Sequence, residues 1–184
     1  MNLPNLITIA RILLVPFTVW LIISGAYGFA FVSFVVAGVS DGVDGYIARR
    51  YNMRTELGAY LDPLADKALL VSVYITLGLL KVLPPWLVIL VVSRDVLIVG
   101  AFILSWLMDR PVQIKPLMVS KVNTAVQIVF VVVALGAAAL KWDLMLLLPV
   151  GMGLVAVLTA ASGGLYLREW VRHMANGYSG EESR

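Results

Sequence analysis

Long runs of apolar residues, broken at intervals by short polar clusters, divide the chain into six segments of similar length. They cover 9–24, 28–48, 56–80, 86–107, 117–140 and 144–167, each near the roughly 20 residues that a helix needs to cross a bilayer core. Between them lie Gly25; Arg49, Arg50, Asn52 and Arg54; Lys81, Pro84 and Pro85; the polar loop 109–116; and Lys141, Trp142 and Asp143. Ahead of the first run, Leu3, Leu6, Ile9 and Ile12 recur every third position among Asn2, Asn5, Thr8 and Arg11. That is the pattern of a short amphipathic helix lying at an interface. Because Arg11 comes late and the chain goes on as a membrane protein, this opening is not read as a signal peptide. The pattern predicts an all-α polytopic membrane protein with six transmembrane helices and a short N-terminal interfacial helix. The expected layout is one six-helix domain over residues 1–170 and a polar tail over 171–184.

Composition agrees with that class. Of 184 residues, 61% are hydrophobic and 14% charged, against about 25% charged in ordinary soluble domains. The basic residues set the orientation. Arg11, Arg49, Arg50, Arg54, Arg110, Lys115, Lys121, Arg168 and Arg172 fall on one side of the predicted spans, and only Lys81 and Lys141 on the other. By the positive-inside rule both termini face the cytoplasm, and the expected location is a bacterial inner membrane. Trp20, Trp86, Trp106, Trp142 and Trp170 fall near span ends, where indole rings anchor at the headgroups. No nucleic-acid partner is expected.

Against this apolar background four carboxylates stand out. Asp41 and Asp44 close the second span, and Asp62 and Asp66 open the third. A carboxylate at the centre of a membrane helix costs roughly 2.5–3.5 kcal/mol on insertion scales. Spacings of three and four place each pair on one face of its helix, and two helices joined by a short turn can bring the pairs together. Four like charges in a small volume raise one another's pKa values unless a cation lies between them. The chain has no cysteine and one histidine, His173, so hard oxygen donors favour magnesium, manganese or calcium over zinc. Two such ions about 4 Å apart can clamp a phosphoryl group. Gly42, Gly45, Ala48, Gly58 and Ala59 are small enough for close backbone approach, and the planar fork of Arg49 suits a phosphate oxygen. Plainer readings exist for single positions: Asp66 could pair with Lys67, and each small residue could serve helix packing.

Asp41-x-x-Asp44-Gly45-x-x-Ala48-Arg49, eight residues, then Gly58-x-x-x-Asp62-x-x-x-Asp66 resembles the complete signature of the CDP-alcohol phosphotransferases. The resemblance implies a homodimer of six-helix subunits, each with a cytoplasm-facing polar cavity holding two divalent ions, Mg2+ or Mn2+. It implies transfer of a phosphatidyl group from CDP-diacylglycerol to an acceptor hydroxyl, with release of CMP. Carried over by position, Asp41, Asp44 and Asp62 become metal ligands, and Asp66 a further ligand and the general base. Gly45, Ala48, Arg49 and Gly58 would line the CDP site. The opening Pro4-Asn5-x-x-Thr8-x-x-Arg11 resembles the family's amino-terminal stretch near the nucleotide, which adds Asn5 and Thr8, although Thr8 and Arg11 could equally anchor at the interface.

The second half of the chain bears on the acceptor. Ser93-Arg94-Asp95-Val96, Lys115-Pro116 and the stretch from Ser120 to Gln127 resemble the eukaryotic-type cardiolipin synthases within that family, whose acceptor is phosphatidylglycerol. Phosphatidylglycerophosphate synthases, which use glycerol 3-phosphate, typically carry a lysine where Asn123 stands and Arg-Glu where Arg94-Asp95 stands. Glycerol 3-phosphate is nearly a dianion and phosphatidylglycerol a monoanion, so one lysine fewer suits the latter. Arg94, Arg110, Lys115, Lys121 and Asn123 are expected around the acceptor phosphate; the four basic residues could together hold a dianion, so glycerol 3-phosphate stays the alternative acceptor. Alternatively, Arg94-Asp95 is a local ion pair and Lys121 a helix-end charge. A divalent-cation transporter would also place acids in the membrane, but along a path through it, whereas these four cluster toward one face.

Overall fold

The computed structural model describes the backbone of residues 3–50, 56–107, 118–142 and 147–178, with side chains described over 10–40, 67–101, 103–104, 118–142 and 147–172. Six helices make up the described backbone: α1 (Leu3–Ile23), α2 (Tyr27–Arg50), α3 (Glu56–Leu79), α4 (Pro85–Leu107), α5 (Met118–Leu140) and α6 (Leu147–Tyr178). They run from 21 to 32 residues, so the shortest is about 31 Å long at 1.5 Å per residue, enough for a hydrocarbon core of about 30 Å. The amphipathic opening and the first apolar run form a single continuous helix with Pro16 inside it, a residue that membrane helices tolerate. At the other end, α6 carries on past its last apolar turn through the polar residues to Tyr178.

The connections α1–α2, α3–α4 and α5–α6 share one end of the bundle, and left-handed residues stop the helix before each. Gly25 (φ 72°) ends α1, where Ala26 N–H donates to the Leu21 carbonyl and Gly25 N–H to that of Ile22. The same pair of bonds recurs around Lys81 (φ 59°), from Val82 to Leu77 and from Lys81 to Gly78, and Lys141 (φ 54°) has the longer one, from Trp142 to Ala137. This is the Schellman arrangement, which satisfies carbonyls that a helix end would leave bare. A left-handed lysine costs about 1–2 kcal/mol relative to a right-handed one. Its ammonium is offset there by the negative end of the helix dipole. Exposed Trp20, Trp86 and Trp142 lie at this same end, as interfacial anchors should.

α1 packs on α2 and α3, α2 on α5, α5 on α6, α6 on α4, and α4 on α3. The helices thus close a ring in the order α1, α2, α5, α6, α4, α3. Ile22, Ala30, Val73, Tyr74, Leu77, Leu87, Val91, Val131, Leu135 and Val155 fill the interior. The outside is equally apolar, with Phe29, Leu79, Met118 and Val150 all more than 70% exposed. A soluble monomer does not present so continuous an apolar surface; a bilayer accounts for it. Among the described residues, Met118–Leu140 and Leu147–Arg172 are by themselves long and apolar enough to span, and Ala10–Ile23, Tyr27–Ser40 and Lys67–Leu79 are shorter apolar stretches.

Small residues set the closest approaches. A Cβ on Gly151 would stand 2.8 Å from the buried ring of Phe130, and nothing lies within 4 Å of one on Gly153. Gly151→Val is expected to destabilise the α5–α6 contact by about 1–3 kcal/mol, while Gly153→Ala on the exposed face leaves it unchanged or firmer. Thermal unfolding in detergent compares the two, and equal midpoints would contradict this packing.

Candidate active site

The four acids come to one end of the ring because α2 ends where α3 begins. Asp41, Asp44, Gly45, Ala48 and Arg49 occupy the last turns of α2, and Gly58, Asp62 and Asp66 the first turns of α3. The backbone is helical at all eight signature positions. Spacings of three and four therefore keep Asp41 with Asp44, and Asp62 with Asp66, on one face of their helices. This end lies opposite the turns at Gly25, Lys81 and Lys141. The side chains of these eight residues, and of Asn5 and Thr8 on α1, lie outside the described residues, as do Arg110 and Lys115 entirely.

Next to the acid-bearing helix ends is a cavity of about 530 Å³ between α2, α3 and α5. Phe34, Val35, Leu69, Leu70, Ile128 and Val132 give it apolar walls, and Lys67 and Thr124 its polar points. Lys67 directly follows Asp66, so the apolar space and the acid cluster are contiguous along α3. A space of this character suits part of a lipid better than a sugar or an inorganic ion.

Behind the cavity runs a buried polar network. Lys67 Nζ donates to Asp95 Oδ1 at 2.5 Å, and Arg94 Nη1 donates to the same oxygen at 2.6 Å. Arg94 Nε and Nη2 donate to Ser162 Oγ on α6 at 3.2 and 2.8 Å, and Nη2 also to Ser120 Oγ on α5. Gly163 lies against the Arg94 stem, where a Cβ would be in ordinary van der Waals contact at 3.5 Å. One turn deeper, Gln127 Nε2 donates to Thr159 Oγ1 at 3.1 Å, which in turn donates to Asn123 Oδ1 at 3.0 Å. Tyr74 Oη reaches the Gln127 carbonyl at 3.3 Å, and Thr18 and Ser33 join α1 to α2 at 2.7 Å. Arg11 is also buried.

The residues expected around the acceptor phosphate separate into two groups. Arg94 and Asn123 are 4% and 0% exposed inside the network, whereas Lys121 is exposed on the opposite side of α5. Lys67, the neighbour of Asp66, has Asp95 as its described partner. Sequence reasoning passed over Thr159 and Ser162. Their signal is slight but physical: two hydroxyls three apart on one face of an otherwise apolar helix.

The sequence profile of one family, CDP-alcohol phosphatidyltransferase, matches residues 1–161. The chain is 34% identical over 181 residues to the cardiolipin synthase (CMP-forming) of Homo sapiens, covering 90% of this chain and 60% of that protein. It is 35% identical over 153 residues to the probable cardiolipin synthase (CMP-forming) of Drosophila melanogaster, covering 74% and 48%. It is 38% identical over 152 residues to the chloroplastic CDP-diacylglycerol–glycerol-3-phosphate 3-phosphatidyltransferase 1 of Oryza sativa subsp. japonica, covering 73% and 46%. The chain spans about half to three-fifths of the length of these relatives. Members of the family are membrane transferases that act on CDP-alcohol donors and lipid or alcohol acceptors, generally with divalent metals. The family profile matches most of the chain: this chain belongs to the CDP-alcohol phosphatidyltransferase family.

Proposed function

We propose that the protein transfers the phosphatidyl group of CDP-diacylglycerol to the free hydroxyl of phosphatidylglycerol, giving cardiolipin and CMP. The observation that carries this reading is the eight-position signature on the meeting ends of α2 and α3, beside an apolar cavity. The similarity to cardiolipin synthases over up to 90% of the chain supports it.

The donor set fits divalent metal. Two carboxylate pairs at the ends of α2 and α3, in a chain with no cysteine and a single histidine, make a hard oxygen site for Mg2+ or Mn2+. Asp41, Asp44, Asp62 and Asp66 would hold two ions, which when bound neutralise the diphosphate and the developing charge on departing CMP. The protein's own residues do the rest. Gly45, Ala48 and Gly58 allow the nucleotide close to the backbone, Arg49 grips the diphosphate, and Asn5 and Thr8 approach the nucleotide from α1. Asp66 takes the proton of the acceptor hydroxyl. That oxygen then bonds to the lipid-side phosphorus as the bond from phosphorus to CMP breaks. The cavity between α2, α3 and α5 keeps lipid against the site.

Lys121, Arg110 and Lys115 are proposed to meet the acceptor phosphate. Arg94 and Asn123 stand behind them: every nitrogen of Arg94 already donates to Asp95, Ser120 or Ser162, and Asn123 is tied to Thr159. A site whose deepest cation is already engaged suits a phosphodiester monoanion better than a dianion. The second reading, glycerol 3-phosphate as acceptor, rests on the rice relative at 38% identity. The site is assigned to the cytoplasmic side of a bacterial inner membrane, with both termini on that side and the chain acting as a homodimer.

Two measurements test this. With CDP-diacylglycerol and magnesium, the purified protein is expected to release CMP when given phosphatidylglycerol. Release with glycerol 3-phosphate alone would keep the chemistry and overturn the acceptor. Asp66→Asn is expected to lower CMP release by about 10²–10⁴-fold with an unchanged thermal midpoint, and near-parental release would remove Asp66 as the base.

A further inference from the structure

α3 and α4 form a hairpin that touches closely at its closed end and is tied by charge further along. At the turn end, Gly78 lets Val88 lie so near that a Cβ on the glycine would stand 2.7 Å from Val88 Cγ2. Eleven residues back along α3, about 16 Å at 1.5 Å per residue, Lys67 meets Asp95 at 2.5 Å. The carboxylate is 5% exposed and shared with Arg94, which is itself fixed to α5 through Ser120 and to α6 through Ser162. Lys67 therefore ties α3 to a post on α4 that is braced by two further helices. A lysine bound to a braced carboxylate fixes both how far α3 stands from α4 and its rotation about its own axis.

That rotation matters because Lys67 follows Asp66. Successive residues on a helix are about 100° apart, so holding Lys67 against α4 sets the azimuth of Asp66 and, one turn earlier, of Asp62. A pair of this kind, half-buried on the lysine side and buried on the carboxylate side, adds little net stability, because desolvation offsets much of the attraction, and the best-attested use of such pairs is to fix register. We propose that Lys67 and Asp95 are a positioning pair for the transfer reaction, holding the acid-bearing end of α3 in its catalytic rotation. The inference rests on the assignment of Asp66 as the base. It gives a function to two residues that touch neither nucleotide nor metal in that assignment.

The test compares Lys67→Met, which keeps the aliphatic stem without the charge, with Lys67→Arg, which restores a donor. For Lys67→Met, kcat is expected to fall about 10- to 100-fold, the scale of small misplacements at a reacting centre. The thermal midpoint should stay near parental, and Lys67→Arg should recover most of kcat. A second readout is independent of activity. The chain has no cysteine, so cysteines placed at exposed Ala68 on α3 and Val96 on α4 can carry a spin-label pair. Its distance distribution should be narrow in the parent and broadened by Lys67→Met. If that variant does not fold, Lys67→Gln, a shorter neutral donor, decides by the same two readouts with intermediate values expected. Parental kcat with an unbroadened distribution overturns the proposal, and so does a loss of kcat that Lys67→Arg fails to recover. Should the unsubstituted chain release no CMP with either acceptor, the functional reading fails while the spin-label distances still decide whether the pair holds α3.

Discussion

The hydrocarbon layer offers no water, so each polar or ionised group inside the bundle has to be met by another group of the protein. Most of the described interior follows this constraint, although Asp95 Oδ2, Asn123 Nδ2 and Gln127 Oε1 are buried without a hydrogen-bond partner. The Asp95 carboxylate holds Lys67 and Arg94, Arg94 spends its remaining donors on Ser120 and Ser162, and Thr159 links Gln127 to Asn123. These links join α3, α4, α5 and α6, and the Thr18–Ser33 bond does the same for α1 and α2. The same need for a partner underlies the proposal that the four carboxylates on α2 and α3 hold divalent cations.

The same constraint divides the protein into two ends with different tasks. At one end three turns close by left-handed residues, two of them lysines whose charges lie at helix C-termini, and exposed tryptophans ring the surface. That end is built to stop helices and sit at an interface. The opposite end carries the acids, the signature glycines and most of the basic residues. The proposed reaction needs water-soluble nucleotide on one side and lipid on the other, and an acid-bearing end adjoining an apolar cavity fits that need.

Much of this was legible in the sequence because membrane helices leave coarse signals. The apolar runs placed α2 to α5 to within about two residues, whereas α1 starts well before its run and α6 ends well after its own, and the spacing of Asp41, Asp44, Asp62 and Asp66 pointed to the candidate site. The interior links were harder to read. Lys67 had a carboxylate beside it in sequence, yet its described partner, Asp95, is 28 residues away on α4, because neighbours on a helix face different directions while an antiparallel partner can face the same one. Arg94, read from its motif as an acceptor ligand or an ion pair, is engaged on every nitrogen by hydroxyls and a carboxylate whose proximity only the ring order of the helices creates. Thr159 and Ser162 gave almost no signal, since single hydroxyls are common in membrane helices and acquire meaning only opposite Asn123, Gln127 and Arg94.

In the proposed mechanism the four aspartates form one site for a pair of divalent ions. Electron paramagnetic resonance of the purified protein titrated with Mn2+ tests that most directly. Two ions about 4 Å apart should give a spin-coupled spectrum, which Asp44→Asn should abolish. A spectrum of isolated ions only, or coupling that survives Asp44→Asn, would contradict it.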